Sequence, residues 1–264
     1  MTRYLRLLGL QLRTSALLAA QYRFDFFVDA AISLFWTATA VVPLFVVYGE
    51  ETRPGIPGWS FGEALVVTAC FILLQGVLDG AINPGLQAVI DHIRKGTLDF
   101  VLLKPADAQF LVSTSRFMLW RVFSLVTSGI VFGIAFHQIG HGPSVLGVLT
   151  ALVLFAVATL LLYSLWILII SAAFIVVKVD NLTYLFSSIF DAARWPSSVF
   201  RGAVKFFFTF VIPLAVMTTF PAEALLGRLA PMTLVSSIGG AFVFAAVARR
   251  IWLRSIGHYT SAGG

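Results

Sequence analysis

The ionisable residues inside the apolar stretches are the first candidates for chemistry in this sequence. Asp191 and Arg194 stand three residues apart in the apolar run of residues 181–196. Charges at membrane depth are costly, and they usually face a cavity or each other. Two interpretations stay open: the pair lines a translocation path through the membrane, or it forms an ion pair that closes a helix end. We favour the ion pair.

Other reactive residues are too sparse for catalysis or for metal binding. His137 and His141 are four residues apart, but glycines surround them and two ligands fall short of a zinc site. The single cysteine, Cys70, excludes an internal disulfide. No Ser/His/Asp set and no paired glutamates stand out in the sequence. The sequence therefore argues against a membrane-bound enzyme and predicts no metal site.

The composition indicates an integral membrane protein. Of the 264 residues, 59% are hydrophobic and 11% are charged, and the mean hydropathy is +0.95. A soluble domain has about 45–50% apolar and about 25% charged residues. These values exclude an ordinary soluble enzyme, a disordered chain and a DNA-binding domain. Because basic residues that gather at the ends of spans explain the net charge of +6, we expect no nucleic-acid partner.

The apolar runs predict an all-α polytopic membrane protein, with residues 1–264 forming a single transmembrane domain of six spans. Runs of about 18 or more apolar residues can cross a bilayer. The predicted spans are residues 27–48, 61–80, 108–136, 145–177, 181–196 and 232–248. Residues 2–24 are expected to form an N-terminal interfacial helix, because Arg3, Arg6 and Arg13 lie opposite a leucine face.

The segment of residues 197–227 is the most ambiguous part of the chain, since Pro213 interrupts its second apolar stretch. Non-helical backbone at membrane depth is tolerated only where protein or water covers it. We therefore expect a re-entrant region, a hairpin in the outer half of the membrane. The alternative is a separate span over residues 204–219.

The basic residues predict a multi-pass protein of the cell membrane with both termini in the cytoplasm. In the predicted topology 13 of the 18 Lys and Arg residues lie on the side of the termini, which agrees with the positive-inside tendency. The exceptions are Arg53, Arg194, Arg201, Lys205 and Arg228.

A short amphipathic helix is predicted over residues 86–95, between the second and third spans. Its apolar residues recur at the spacing of one helical face. They are Leu86, Val89, Ile90 and Ile93. Asn83-Pro84-Gly85 is expected to break the preceding helix, and Gly96 is expected to end this one.

The residues that follow this helix resemble a family motif. The run Arg94-Lys95-Gly96-Thr97-Leu98-Asp99-Phe100-Val101-Leu102-Leu103-Lys104-Pro105 is similar to the R-x-G-T-L-D-x-x-L-L-x-P signature of one branch of the ABC-2 type exporter permeases. The spans, the two amphipathic helices and the Pro-containing segment before the last span resemble the same family. The resemblance covers essentially the whole chain, and its most specific part is Gly96-Thr97-Leu98-Asp99.

The resemblance implies the permease subunit of an ATP-driven exporter. Two permeases, identical or related, would lie in the lipid bilayer and enclose the translocation path at their interface. They would pair with two ABC ATPase subunits in the cytoplasm. The sequence has no G-x-x-x-x-G-K-[ST] run to hold ATP phosphates. We therefore expect no cofactor in this chain, with ATP and Mg²⁺ bound by the partner ATPase.

The amphipathic helix is the predicted coupling helix on which the ATPase docks. Its apolar stripe would enter a groove of the ATPase, and charged residues would contact the rim. The predicted docking residues are Leu86, Val89, Ile90, Asp91, Ile93, Arg94, Lys95, Gly96, Thr97, Leu98 and Asp99. The alternative is an interfacial helix that rests on lipid.

A stand-alone secondary transporter or channel is the competing function. Such folds commonly contain internal repeats and ionisable groups near the membrane midplane. The sequence shows no repeat, and only Asp191 and Arg194 meet the second criterion.

Overall fold

The protein is predominantly helical in the residues that its computed structural model describes, which are 2–21, 23–49, 55–174 and 179–257. The α-helices are α1 (Thr2–Gln21), α2 (Arg23–Tyr48), α3 (Phe61–Val77), α4 (Asn83–Arg94), α5 (Asp99–Leu102), α6 (Ala108–Ser113), α7 (Val122–Ile139), α8 (Val145–Ala172), α9 (Val179–Phe190), α10 (Gly202–Phe206), α11 (Phe220–Leu225) and α12 (Pro231–Gly257). The predicted all-α fold is confirmed. Arg53 and the end of the predicted span 145–177 lie outside the described residues.

Five helices within the described residues are long and apolar enough to cross a membrane. They are Phe27–Tyr48, Phe61–Arg94, Leu119–Ile139, Val145–Ala172 and Pro231–Gly257. A further pair, Gly202–Val211 and Ala215–Leu225, passes the same test together and is bent by 69°. The chain is therefore a polytopic membrane protein, as its composition predicts.

The helix does not break at Asn83-Pro84-Gly85, contrary to the sequence prediction. A π-helical turn at Leu78–Ile82 joins α3 directly to α4, and the helix runs on to Arg94. Pro84 stands in the first turn of α4, where the missing N–H of proline is tolerated. The wider π-helical turn therefore accommodates the proline without ending the helix.

Two other predicted spans have different bounds in the structure. Residue 108 begins only the short helix α6, and the long third helix starts with the 3₁₀ turn at Leu119–Arg121. The run 181–196 corresponds to α9, which has 12 residues and continues into a 3₁₀ turn at Asp191–Arg194. Since a crossing needs about 20 helical residues, α9 does not span a bilayer by itself.

Contacts between distant loops define two ends of the helical bundle. At one end, Arg249 of α12 and Tyr4 of α1 both contact Asp107. At the other end, Arg228 reaches the Gly58 carbonyl and the Glu63 carboxylate at the start of α3. We call the first the terminal end, because the start of α1 and the end of α12 lie there, and the second the distal end.

Both ends of the bent pair lie at the distal end. Before the pair, the Ser198 hydroxyl contacts the Pro57 carbonyl at 3.5 Å. After it, Arg228 forms an ion pair with Glu63 at 3.0 Å and stacks on Trp59, with its guanidinium carbon 4.1 Å from the ring centroid. The pair therefore enters and leaves at one end, which is the arrangement of a re-entrant hairpin. Leu214, at the bend, is buried.

Helix α3 forms the centre of the bundle and packs closely against α7. A Cβ added to Gly76 would lie 2.6 Å from the Ser124 Cβ, and one added to Gly80 would lie 3.1 Å from the Arg121 Cβ. The two glycines thus permit the close approach of helices that stabilises membrane bundles. Gly129 and Gly133 on α7 face open space instead.

Replacing Gly85 with alanine is expected to destabilise the packing of α4 on α6. A Cβ at this position would lie 2.6 Å from the carbonyl oxygens of Val112 and Ser113, which are backbone atoms and cannot rotate away. Overpacking of this kind costs about 1–3 kcal/mol of stability. The measurement is the midpoint of thermal unfolding of the purified protein in detergent.

Gly129→Ala is the matched control, because this glycine is also helical but its added Cβ would meet open space. Alanine is the better helix former, so the control is expected to melt at the wild-type temperature or slightly above it. Equal unfolding midpoints for the two variants would contradict the tight contact at Gly85.

Candidate docking site at the terminal end of the bundle

The apolar face of α4 is buried within the chain. Leu86 and Val89 have no exposed surface, and Ile90 is 3% exposed. The helix packs against α6 and α8, and the Trp166 indole donates a hydrogen bond to the Asn83 side-chain oxygen at 3.2 Å. These three apolar residues are therefore not available to enter the groove of a partner. They hold α4 in place, and exposed residues of this region include Asp91 and Arg94 on α4 itself.

Gly96 ends α4, as the sequence predicts, through a C-terminal cap that needs a left-handed residue. Its φ is +63°, a conformation that glycine adopts without strain. The Thr97 amide donates to the His92 carbonyl at 2.9 Å and the Gly96 amide to the Ile93 carbonyl at 3.2 Å, which is the Schellman pattern. The Thr97 hydroxyl lies 2.8 Å from the His92 Nδ1 and reinforces this turn.

The segment after Gly96 has a buried face and an exposed face. Leu98 and Val101 are buried at 1% and 8% exposure, and they anchor the segment to the core. Phe100 and Leu103 point the other way and are 69% and 81% exposed. Together with exposed charged residues nearby they form what we call the coupling surface. It consists of Asp91, Arg94, Lys95, Phe100, Leu103 and Lys104.

Asp107 joins the end of this segment to two other helices. Its carboxylate accepts a hydrogen bond from the Phe110 amide at 3.0 Å, which caps α6, and a second from Arg249 of α12 at 3.2 Å. The Asp107 amide in turn donates to the Tyr4 hydroxyl of α1 at 3.3 Å. Burial raises the pKa of Asp107, but the hydrogen bonds from Arg249 and Phe110 outweigh it, so that the pKa lies below its ordinary value.

Gln109 and Tyr163 extend this polar network to α8. Arg249 donates to the Gln109 side-chain oxygen at 2.7 Å, and the Gln109 amide group donates to the Tyr163 hydroxyl at 2.9 Å. The same hydroxyl lies 2.7 Å from the Ser113 hydroxyl. Helix α6 is thus tied by hydrogen bonds to α8 and α12.

Asp191 and Arg194 form an ion pair at 3.1 Å, away from the coupling surface. The Arg194 Nε also donates to the Asp191 carbonyl at 2.9 Å, and its guanidinium carbon lies 5.4 Å from the Phe71 ring centroid. These bonds close the 3₁₀ turn after α9. The Asp191 side chain is 50% exposed, so its carboxylate remains accessible despite the ion pair.

Sequence reasoning missed the two residues that dominate the coupling surface. Phe100 and Leu103 stand at i, i+3, while Leu98 and Val101 stand at the same spacing on the opposite face. The i, i+3 spacing of a helix, if applied to the residues after Gly96, distinguishes the face with Phe100 and Leu103 from the face with Leu98 and Val101. The Asp107–Arg249 pair has no such signal, because its members are 142 positions apart.

A family model described as ABC-2 family transporter protein matches residues 34–263, and the chain therefore belongs to this family. No curated protein and no solved structure matched the chain. The predicted permease identity is confirmed: the chain is a multi-pass membrane component of an ABC exporter, without an ATPase site of its own. An ABC ATPase subunit is accordingly its partner.

Breaking the Asp107–Arg249 pair is expected to loosen the attachment of α6 to α12. Asp107→Asn and Arg249→Gln each remove one charge, and because the partners share hydrogen bonds, the double variant should lose less stability than the sum of the two. The expected coupling for such a partly exposed pair is about 0.5–1 kcal/mol. Thermal unfolding of the four proteins of the double-mutant cycle in detergent measures it.

Arg250→Gln is the control, since Arg250 neighbours Arg249 in α12 but is exposed. It is expected to leave the unfolding midpoint unchanged. Strict additivity of the Asp107 and Arg249 substitutions would show that the pair contributes nothing to the attachment.

Proposed function

We propose that this ABC-2 family permease docks its ATPase partner through the coupling surface and encloses the translocation path with a second permease, identical or related. Two ATPase subunits, one for each permease, would complete the exporter. The observation that carries the proposal is the exposure of Phe100 and Leu103 on a segment outside the candidate spans.

The composition of the coupling surface supports a protein partner. Neighbouring large apolar side chains that are exposed outside the membrane, with a polar rim, are typical of interaction sites. Phe100 and Leu103 lie beside the exposed charges of Asp91, Lys95 and Lys104, which resembles the apolar centre and polar rim of protein interfaces. An interfacial helix resting on lipid would instead turn its apolar stripe outward, and the stripe of α4 is buried.

The connection of the coupling surface to the bundle supports a mechanical role. Helix α4 continues α3, so a push on its end moves a helix that runs the length of the bundle. The Asp107 network adds contacts to α8 and α12. ATP and Mg²⁺ would bind only to the ATPase subunits. Closure of these subunits would thus tilt several permease helices together, as rigid elements that move between two arrangements.

The exposed carboxylate of Asp191 supports its placement on the translocation path. Ionisable groups within membrane segments usually mark such paths. Arg194 would act there as a positioning residue, since it holds Asp191 through the ion pair and the carbonyl contact. The path would lie between the two permeases.

The distribution of charge supports a cytoplasmic terminal end in the cell membrane. Lys95, Lys104, Arg249 and Arg250 lie at that end, where the positive-inside tendency places basic residues. Both termini and the coupling surface would then face the compartment that supplies ATP.

Removing the apolar side chains of the coupling surface is expected to weaken ATPase docking. Phe100→Ala with Leu103→Ala should weaken binding of the cognate ABC ATPase at least about tenfold, because truncating central interface residues costs about 2 kcal/mol or more. The measurements are binding of the purified ATPase to the permease in nanodiscs and the ATPase rate of the complex.

Leu253→Ala is the matched control, because Leu253 is an exposed leucine near the same end, on α12. It is expected to bind the ATPase as the wild type does. Wild-type affinity of the Phe100/Leu103 variant would refute the docking assignment. Transport by the permease alone in liposomes under an ion gradient would favour the secondary transporter.

A further inference from the structure

A cavity of about 460 Å³ lies at the terminal end, outside the coupling surface and the Asp107 network. Its walls come from the second half of α1, the first turns of α2 and residues 115–120. This volume falls within the range of about 300–1,000 Å³ that is typical of small-molecule sites.

The cavity exists because two hydrogen bonds hold residues 114–118 out of helical conformation. The Phe117 amide donates to the Ser15 hydroxyl of α1 at 3.1 Å, and the Met118 amide donates to the Gly80 carbonyl at 2.8 Å. The segment is thereby fixed between α1 and the bundle. Helix α1 is attached on one side of the cavity and α2 bounds another, so the space between them is built by the fold.

The cavity combines an apolar wall with two opposite charges. Leu18, Val28 and Trp120 supply apolar surface. Asp29 and Arg116 also line it; Asp29 is half-buried and Arg116 is exposed. Neither forms an ion pair with another residue among those that the structure describes. Other charged groups at this end, such as Asp107 and Arg249, already have partners.

Both charges lie at the depth of lipid headgroups. Asp29 stands at the start of the apolar stretch Phe27–Tyr48, and Arg116 comes just before the stretch Leu119–Ile139. The ends of spanning helices mark the boundary between hydrocarbon and headgroups. The charged part of the cavity therefore faces headgroups, and the apolar wall continues toward the acyl chains.

We propose that this cavity binds an aminophospholipid with a primary amine, of the phosphatidylethanolamine type, in the leaflet at the terminal end. The guanidinium of Arg116 donates hydrogen bonds to the lipid phosphate, an arrangement that suits its planar fork. The carboxylate of Asp29 accepts hydrogen bonds from the lipid ammonium. The acyl chains run along the apolar wall and fill the space between α1 and the bundle.

The charge pattern distinguishes this lipid from the other common classes. A choline headgroup carries no N–H donor for Asp29, so it loses the hydrogen bond that the ethanolamine makes. A phosphatidylglycerol headgroup has no cation and leaves Asp29 beside a negative lipid. Free phosphoethanolamine offers the same polar groups but lacks the acyl chains that the apolar wall requires.

A fluorescent label inside the cavity tests the proposal. Ala19 lines the cavity, and the single native cysteine, Cys70, is buried, so a bimane on Ala19→Cys in a Cys70→Ala background reports on this site alone. The protein is placed in phosphatidylcholine nanodiscs that contain a small fraction of lipid brominated on its acyl chains. The three lipids compared are brominated phosphatidylethanolamine, phosphatidylcholine and phosphatidylglycerol.

We expect half-maximal quenching at a mole fraction of brominated phosphatidylethanolamine about tenfold lower than that of the other two lipids, because only its ammonium can donate a charged hydrogen bond to Asp29. Asp29→Asn and Arg116→Gln should each reduce this preference. Asp91→Asn and Arg250→Gln, at the same end but outside the cavity, should keep it. Soluble phosphoethanolamine should not relieve the quenching.

Four results would overturn the proposal. Equal quenching by the three lipids would show ordinary bilayer contact, and a preference for phosphatidylglycerol would show recognition of anionic lipid. Absence of quenching by any lipid would show that protein, such as a second copy of the chain, covers the cavity. Relief by phosphoethanolamine would show a site for the free headgroup. If a variant fails to fold, the class of lipid retained by the wild-type protein in native mass spectrometry decides the question.

Discussion

Burial of the continuous helix Phe61–Arg94 is the constraint on which the rest of the structure depends. In a bilayer the lipid is as apolar as the side chains, so helices associate through close van der Waals contact. Gly76 and Gly80 provide that contact for α7, while the re-entrant hairpin and α8 pack around the same helix. The start of this helix carries the distal contacts with Arg228, and its end carries the coupling surface. The two ends of the bundle are therefore connected by one rigid element.

An exposed apolar side chain contacts lipid where it lies in a membrane segment, but it faces water or a partner protein where it lies outside the membrane. Phe210 in the re-entrant hairpin and Phe100 after α4 are exposed to nearly the same extent, 68% and 69%. Phe210 belongs to a segment apolar enough to lie in the membrane, where its surroundings are hydrocarbon. Phe100 lies outside those segments, and together with Leu103 it forms the apolar part of the coupling surface. The coupling surface is thus distinguished by its place in the fold.

Local sequence patterns predicted helix ends that depend on neighbouring residues alone. They did not predict helix ends that depend on the surrounding backbone geometry or on contacts with distant parts of the chain. Gly96 ended α4 as predicted, because a left-handed residue is needed there whatever packs nearby. Pro84 did not end the preceding helix, because a π-helical turn before it changed the local geometry. The start of the third span was wrong, because bonds from Phe117 to Ser15 and from Met118 to Gly80 hold residues 114–118 away from helical conformation.

The sequence by itself determined that this is an all-α membrane protein. Long apolar runs must satisfy their backbone hydrogen bonds within a helix when they enter a bilayer, so length and composition are sufficient for that conclusion. Only the tertiary structure decided which apolar face is free. Leu86 and Phe100 are both apolar residues at helical spacing, yet one is fully buried against α6 and α8 and the other is exposed. The spacing of apolar residues in the sequence identifies one face of a helix, but the position of the neighbouring helices determines what that face contacts.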